Sequence, residues 1–332
     1  MIVLAGDVGG TKTHLGLFAR ADQKAPLVVV HQRKFASREH PGLESLCQDY
    51  LKDRQTMPDA AAFGIAGPIV DGRVEATNLP WVIEQTSLER LLSCPVTMLN
   101  DLEAMAYGIE ELRPDEFHTL NKGLEAGQAA RAIIAAGTGL GQGYMVWDTA
   151  QGRHVANASE GGHVDFAPRN SDEIDLLRRL LGRFKRVSVE RVVSGAGIRE
   201  IFDHVAAASG HEVPDALVEA LHAGDPAAVI SHEAMNGGSP ICIETMRRFV
   251  ALYGAEAGNL TLKVMARGGL YVGGGIAPKI LPLMTDGLFM RSFLDKGRFS
   301  SLMSTIPVRI ILNEMSSLLG AAAVAARTDS KH

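Results

Sequence analysis

The chain has 332 residues, a formal net charge of −5, and 46 % hydrophobic against 21 % charged residues, an ordinary balance for a globular protein with enough chain for two domains. The negative charge disfavours a nucleic-acid-binding surface, and the apolar stretch 318–326 is too short and alanine-rich to span a membrane. The N-terminus shows no signal-peptide pattern, and the three cysteines, Cys47, Cys94 and Cys242, form no CxxC pair, so we expect a cytoplasmic protein without a disulfide framework or structural zinc.

The first predicted element is a β-hairpin. The apolar run Ile2-Val-Leu-Ala5 leads into Gly6-Asp-Val-Gly-Gly-Thr-Lys-Thr13, and a second strand follows. Because Gly9 and Gly10 carry no Cβ, the amides of this turn can approach an anion and form a phosphate-binding nest. Asp7 at the strand end is a candidate to hold Mg²⁺ through water. The alternative is an ordinary tight turn.

Strands and helices then alternate, which favours a layered α/β architecture. The predicted elements are a strand at 27–30, a helix at 43–51, a strand at 60–66, a helix at 87–92 and a strand at 96–99. The polar segment Arg113-Pro-Asp-Glu116 is the candidate domain boundary, near residue 110.

The last of these strands ends at Asn100 and Asp101. A carboxylate there is a candidate general base that accepts the proton of a substrate hydroxyl during phosphoryl transfer. The alternative is an N-cap of the helix that begins at Leu102, and the two roles are compatible because a cap also fixes the carboxylate.

A second glycine hairpin, Gly137-Thr-Gly-Leu-Gly-Gln-Gly143, lies between the apolar segments 132–136 and 144–147. It repeats the order of strand, glycine turn with a threonine, and strand. Two such hairpins suggest a duplicated fold whose halves hold a polyphosphate from opposite sides. The chain resembles the actin-like ATPase and sugar-kinase superfamily in this respect. Two unrelated turns in a glycine-rich chain are the alternative.

The segment Glu160-Gly-Gly-His163 offers an acceptor and a donor suited to sugar hydroxyls. A structural turn is the simpler interpretation, and a metal pair is a third, although no further ligand stands at metal-binding spacing. Glu190 is a possible further acceptor or an ion-pair partner of Arg191.

The remaining elements are a helical region at 205–262 and two glycine turns, Ser194-Gly-Ala-Gly-Ile198 and Val272-Gly-Gly-Gly-Ile276. Each turn is expected to precede a helix and to let a base or ribose lie against bare backbone. The final strand at 307–312 and the alanine-rich helix after it are expected to return to the first domain.

Taken together, these motifs resemble the bacterial glucokinase family in order and approximate spacing over nearly the whole chain. The motifs that carry the resemblance are Gly6-Asp-Val-Gly-Gly-Thr11, Leu99-Asn-Asp-Leu-Glu-Ala104, Gly137-Thr-Gly-Leu-Gly141, Glu160-Gly-Gly-His-Val-Asp-Phe-Ala-Pro168, Glu190-Arg-Val-Val-Ser-Gly195 and Gly273-Gly-Gly-Ile276. The block that starts at Glu160 is the most diagnostic of them.

The resemblance implies ATP-dependent phosphorylation of the 6-hydroxyl of glucose, with Asp101 as the general base and Mg²⁺ as cofactor. The residues it implies for glucose are Asn78, Asn100, Asp101, Glu160, His163 and Glu190. The residues expected near ATP are Asp7, Gly9, Gly10, Thr11, Lys12, Gly137, Thr138, Gly139, Gly195, Gly273, Gly274 and Gly275.

The implied fold is the two-domain α/β fold of the actin-like ATPases (ribonuclease H-like), with the active site in the interdomain cleft. Residues 1–110 and 301–332 are expected to form a small domain and residues 111–300 a large one. A homodimer is usual in the family, and neither nucleic acid nor membrane is expected as a partner.

The chain departs from the family pattern at Lys12-Thr13, where many members carry Asn-Ala. This resembles the related group built on the repressor, open-reading-frame and kinase (ROK) fold, whose zinc-binding cysteine cluster is absent here. The side chain of Lys12 either reaches a phosphate or points to solvent, because lysine is common both at phosphate sites and on protein surfaces. His163 is expected to serve the sugar rather than zinc.

Two alternatives to glucokinase activity remain: a kinase for another hexose, and an inactive sugar-binding regulator on the same fold. A transcriptional regulator is expected to carry a DNA-binding segment ahead of the first hairpin, which here starts within a few residues of Met1. An inactive binder is expected to have lost its base, whereas Asp101 is present.

Overall fold

The structure is a computed structural model that describes residues 1–22, 25–54, 56–76, 79–210 and 212–327. Its strands, in chain order, are β1 (Ile2–Val8), β2 (Lys12–Ala19), β3 (Val28–Ala36), β4 (Ala60–Ile65), β5 (Arg73–Glu75), β6 (Val82–Glu84), β7 (Val96–Asn100), β8 (Phe117–Asn121), β9 (Arg131–Ala136), β10 (Leu140–Asp148), β11 (Arg153–Ser159), β12 (Leu270–Gly273) and β13 (Val308–Ile311).

The α-helices connect these strands or cover the sheets that they form. In chain order they are α1 (Leu43–Leu51), α2 (Gln85–Leu92), α3 (Asp101–Gly108), α4 (Ser171–Leu181), α5 (Gly195–Ser209), α6 (Asp215–Ala223), α7 (Pro226–Met235), α8 (Pro240–Val264), α9 (Leu281–Met284), α10 (Leu288–Leu294), α11 (Ser300–Ser304) and α12 (Ser316–Ala325). In the part of the chain that the structure describes, no helix has both the length and the apolar character needed to cross a membrane.

The chain divides into two units, the first formed by residues 1–116 and 313–332 and the second by residues 117–312. The first unit contains a sheet of order β3-β2-β1-β4-β7, in which β1, β4 and β7 run parallel and β2 and β3 pair antiparallel. The hairpin predicted after Met1 is therefore present as β1 and β2.

Alternating side chains along the strands of the first sheet pack into two separate hydrophobic cores, one on each face. Leu4 and Phe63 face a cluster that includes buried residues of α1 and α2, whereas Val3 and Ala5 face a cluster that includes α12. This period of two is the ordinary geometry of a strand buried on both faces. Helix α12 thus completes the first unit although it follows all the other described elements in sequence.

The second unit contains a sheet of order β11-β10-β9-β12-β13-β8. Strands β9, β12 and β13 run parallel, and β10 returns antiparallel beside β9. The predicted second hairpin is therefore β9 and β10, and α8 lies in the large buried cluster of this unit.

The boundaries of the units differ from the predicted ones at both ends. Residues 111–116 lie with the first unit, and residues 301–312 lie with the second. The reason at the C-terminal side is that β13 pairs with β12 on one edge and with β8 on the other. The strand predicted at 307–312 therefore belongs to the second sheet, and only the chain after it returns to the first unit.

Candidate active site

The first group of predicted site residues lies at the carboxyl edge of the first sheet. Because β1, β4 and β7 are parallel, their C-terminal ends meet there, with Asp7 opposite Gly64 and Ile65 opposite Asn100. The register brings Asp7 and Asp101 to the same edge although they are far apart in sequence. The carboxyl edge of parallel strands is where open α/β sheets usually bind ligands.

Asn100 and Asp101 begin α3 with a complete capping arrangement. Leu102 N donates to Asn100 Oδ1 and to Asp101 Oδ1, each at 2.9 Å, and Asn100 N donates to Glu103 Oε2 at 3.0 Å. The cap fixes the backbone of the Asp101 turn and one oxygen of its partly buried carboxylate. The N-cap interpretation is thus confirmed for Asn100, and it is compatible with the catalytic prediction for Asp101.

Gly64 allows α3 to begin this close to the sheet. A Cβ at Gly64 would lie 2.7 Å from the Ala104 Cβ and 3.8 Å from the Asp101 Cα. Any side chain there would push the first turn of α3, and the Asp101 carboxylate with it, away from β4.

Burial raises the pKa of Asp7 to about 6, repulsion from Asp101 adds to this shift, and Lys34 lowers the pKa in part. Across the strands, Asp7 is paired with His14 and His14 with Lys34. Two carboxylates that repel each other at the end of a sheet are a donor set of the kind that Mg²⁺ prefers, since both offer oxygen.

The turn between β1 and β2 is held by a residue that the sequence motif does not include. Ser37 Oγ donates to the Gly9 carbonyl at 2.7 Å and lies 2.9 Å from Thr13 Oγ1, while Ser37 N donates to the Thr11 carbonyl at 3.0 Å. Gly9 N donates to the Lys12 carbonyl at 3.1 Å. The turn is therefore held by the residue that follows β3, and Thr11 and Lys12 are exposed.

Asn78, the remaining predicted sugar contact before Asp101, lies outside the described residues. The segment after it is anchored by Trp81, which is buried and whose indole Nε1 donates to the His40 carbonyl at 3.1 Å.

The predicted residues of the second unit cluster at the carboxyl ends of β9 and β12. Ala135 is opposite Gly273, and Ile276 N donates to the Ala136 carbonyl at 3.2 Å. Gly274 has a φ of +81°, and a Cβ there would lie 2.3 Å from the Ala136 carbonyl oxygen. The turn that starts at Gly273 therefore lies against the end of β9, where the Gly137–Gly139 turn begins.

One expectation about the glycine turns needs correction. No α-helix directly follows Gly273–Ile276, since α9 begins only at Leu281. Gly195 does begin α5, capped by Ser194, but its amide donates to the Gly137 carbonyl at 2.8 Å. That amide is therefore engaged within the protein, and Gly195 ties α5 to the hairpin.

Glu190 supports the same hairpin. Its Oε2 accepts from Leu140 N at 2.9 Å, and a Cβ at Gly139 would lie 2.6 Å from that oxygen. Arg191 instead has its guanidinium carbon 4.2 Å from the centre of the Phe184 ring. Glu190 therefore orients the turn of Gly137, Thr138 and Gly139.

Glu160 and His163 flank a turn that rests on the start of β10. Their side chains are 74 % and 61 % exposed, and Glu160 Oε2 lies 3.9 Å from His163 Nε2. A Cβ at Gly162 would lie 2.0 Å from the Leu140 carbonyl oxygen, and Arg186 donates to the His163 carbonyl. The segment forms a 3-10 turn that leaves both side chains exposed, which is compatible with a purely structural turn and with hydroxyl binding.

One supporting residue gave no functional signal in the sequence. The hydroxyl of the buried Tyr253 on α8 accepts from Ala136 N at 3.2 Å and lies 3.4 Å from the Gly273 carbonyl oxygen. It therefore contacts the last residues of β9 and β12, just before both glycine turns. A tyrosine within an apolar helical pattern indicates only a core position.

Known proteins of one family resemble this chain over nearly its whole length. The glucokinase family model matches residues 4–328. The chain is 41 % identical to a glucokinase of Nostoc sp. (strain PCC 7120) over 98 % of this chain and 99 % of that protein. It is 39 % identical to a glucokinase of Synechocystis sp. (strain PCC 6803) over 98 % of each protein.

Among solved structures, a glucokinase from an Antarctic psychrotroph has a TM-score of 0.85 at 29 % identity, with 98 % of this chain and 99 % of that chain covered. A ROK family glucokinase from Streptomyces griseus, in complex with glucose and AMPPNP, has a TM-score of 0.66 at 23 % identity, with coverage of 98 % and 99 %. These matches confirm the predicted α/β fold of the actin-like ATPase type. By the family match and by these identities over nearly its whole length, the chain belongs to the glucokinase family.

Proposed function

We propose that this chain transfers the terminal phosphoryl group of ATP to the 6-hydroxyl of D-glucose, with Asp101 as the general base. The activity is that of the family to which the chain belongs. The observation that carries the residue assignment is the position of Asp101, capped at the first turn of α3 and at the same sheet edge as Asp7.

Asp101 accepts the proton of the sugar hydroxyl as the oxygen attacks the phosphoryl group. Phosphoryl transfer depends mainly on positioning and charge stabilisation, so a weak base suffices when its geometry is fixed. The capping arrangement of Asn100 and Glu103 supplies that fixation. Asn100 also offers its side-chain amide to the sugar.

The sugar contacts proposed in the second unit are Glu160, His163 and Glu190. The first two are exposed on their turn, and a carboxylate and an imidazole together can accept from and donate to neighbouring hydroxyls. Glu190 uses Oε2 for Leu140 N, and its carboxylate retains further acceptor sites for a hydroxyl. Asn78 is proposed as a further sugar contact from the family motif alone.

The phosphates of ATP are assigned to the turns at Gly9–Lys12 and Gly137–Gly139, and the nucleoside to the Gly195 and Gly273–Gly275 segments. Burial, and in addition repulsion from Asp101, raise the pKa of Asp7, and a divalent cation would offset the negative charge of the two carboxylates. Asp7 would hold Mg²⁺ through water. When bound, the ion neutralises charge on the phosphate oxygens.

Cytoplasmic location and a homodimeric state complete the proposal. The homodimeric state rests on the family resemblance, and the cytoplasmic location on the cysteine usage of the sequence.

An assay that detects ADP, run with ATP, Mg²⁺ and a panel of hexoses, tests the proposal. We expect the highest kcat/KM with glucose and a product that glucose-6-phosphate dehydrogenase accepts. A higher kcat/KM with mannose, fructose or an amino sugar would favour a kinase for another hexose. Glucose binding by calorimetry without ADP formation would favour the inactive binder.

A further inference from the structure

A buried carboxylate lies beneath the turn that carries Glu160 and His163. Glu256 on α8 is 6 % exposed, and Gln142 on β10 is 1 % exposed. Gln142 Nε2 donates to Glu256 Oε1 at 2.8 Å, and Asn259 Nδ2 donates to Glu256 Oε2 at 3.0 Å. Each carboxylate oxygen thus has a side-chain donor, as a buried charge requires.

The other face of the Gln142 amide contacts the turn. A Cβ at Gly161 would lie 2.2 Å from Gln142 Oε1 and 2.7 Å from its Cδ. Ser159 Oγ donates to the Gln142 carbonyl at 3.1 Å, and Gly161 N donates to Ser159 Oγ at 3.3 Å. Gln142 therefore supports the turn through its side chain and, by way of Ser159, through its backbone.

The carboxylate of Glu256 fixes the orientation of the Gln142 side-chain amide. A carboxylate only accepts hydrogen bonds, so the Gln142 side chain must direct its NH₂ group toward Glu256 and its oxygen toward Gly161. A rotated amide would set two acceptors against each other in a buried site, which is costly. Lys296 Nζ donates to the Ala255 carbonyl at 3.0 Å, and its attraction to Glu256 partly offsets the lowering of the Lys296 pKa by burial and by Arg169.

We propose that Glu256, acting through Gln142, is a positioning residue that sets the height and tilt of the Glu160–His163 turn and thereby the affinity for the sugar. The proposal rests on the sugar-binding role assigned to that turn. Glu256 itself is not a catalytic residue, because its contacts are with Gln142 and Asn259 rather than with a reacting group. Small displacements of positioning groups change rates steeply.

The experiment compares KM for glucose with KM for ATP in a set of variants. Glu256→Ala is expected to raise KM for glucose about tenfold or more while KM for ATP stays within about twofold. Glu256→Gln, which keeps the shape and an acceptor for Gln142, is expected to restore most of the loss. Thr261→Val is the matched control, because it removes a buried hydroxyl of the same helix that, among the described residues, donates to the Ala257 carbonyl within that helix.

Gly161→Ala displaces the Gln142 amide from the turn side without opening a cavity, so it tests the proposal even if Glu256→Ala fails to fold. It is expected to raise KM for glucose in the same selective way. Equal changes in both KM values, or no change in either, in Gly161→Ala and in a folded Glu256→Ala would overturn the proposal.

Glu160→Gln and His163→Ala separate this proposal from the function on which it rests. If these two variants leave KM for glucose unchanged, the sugar-binding role of the turn fails. If they raise it and the Glu256 and Gly161 variants do not, only the positioning role fails.

Discussion

At the scale of single residues, Asp101 is the side chain on which the proposed chemistry depends. Asp101→Asn keeps the shape of the side chain, and its Oδ1 can still accept from Leu102 N. The amide cannot take up the proton, so kcat is expected to fall about 10²–10⁴-fold while glucose affinity, measured by calorimetry, changes little.

Asp53→Asn, at an exposed position of the same unit, is the control for removal of one carboxylate. A near wild-type kcat in Asp101→Asn would show that Asp101 is not the general base and that its role is limited to the first turn of α3.

Asp7 is a second residue with a measurable effect, because its raised pKa makes the stability of the protein depend on pH. Its pKa rises from 3.8 to about 6 on folding, so the folded protein binds this proton more tightly than the unfolded chain does. The stabilisation is fully present below pH 3.8 and is lost as the pH rises to about 6.

Asp7→Asn should therefore be more stable than the wild type near neutral pH, by at most about 3 kcal/mol, and this advantage should disappear as the pH falls toward about 4. Urea unfolding at several pH values measures the difference. A less stable variant at about pH 8 would show that the ionised Asp7 makes net favourable interactions in the folded protein.

At the scale of elements, the contact between α3 and α12 places the helix that begins with Asp101. A Cβ at Gly320 would lie 1.8 Å from the Ala104 carbonyl oxygen, and a Cβ at Gly108 would lie 1.9 Å from the Ser316 carbonyl oxygen. The two helices therefore meet backbone to backbone.

Gly320→Ala is expected to destabilise the protein by about 1–3 kcal/mol through overpacking and to lower kcat, because the displaced α3 carries Asp101. Thermal unfolding and initial rates measure the two effects. Gly127→Ala is the matched control, since a Cβ there meets no atom within 4 Å. If the two variants behaved alike, close packing at Gly320 would not position α3.

The elements that the sequence predicted well are those with a local signal. The apolar run at Ala60–Ile65 and the periodic helix at Leu43–Leu51 have nearly the predicted bounds. Strand β11, Arg153–Ser159, was missed because its mixture of polar and small residues lacks a clear alternation. Strand β13 was predicted but assigned to the other unit, because strand pairing is a non-local property that a single strand pattern does not contain.

In the candidate site, too, residues with a local sequence signal could be predicted and residues identified only by distant contacts could not. Glycine turns and capping residues are visible in sequence because glycine and Asn-Asp at a strand end are unusual choices. Ser37, Gln142 and Glu256, which support those turns, have no such signal, since a serine, an amide or a glutamate normally indicates a surface position. Their partners lie far away in sequence, so only the folded chain identifies them.

At the scale of the whole molecule, we expect activity to require Mg²⁺ and the purified protein to contain no stoichiometric zinc. Cys47 and Cys242 are buried in different units, and burial raises the pKa of both thiols, which disfavours the thiolate that binds zinc. Elemental analysis and chelation test this. About one tightly bound zinc per chain, lost together with activity, would contradict it.

The return of the chain at Asn313 affects how the protein is made. Helix α12 contributes Leu318, Ala321 and Ala322 to the core that also contains Val3 and Ala5, and residues 117–312 lie between these segments in sequence. During synthesis, domains generally fold as units once their residues have left the ribosome. Strand β1 must therefore wait for α12, while the second unit has all its residues before α12 is made. A chain that stops before Ser316 leaves an apolar face of the first sheet open to solvent, a feature that chaperones and proteases recognise.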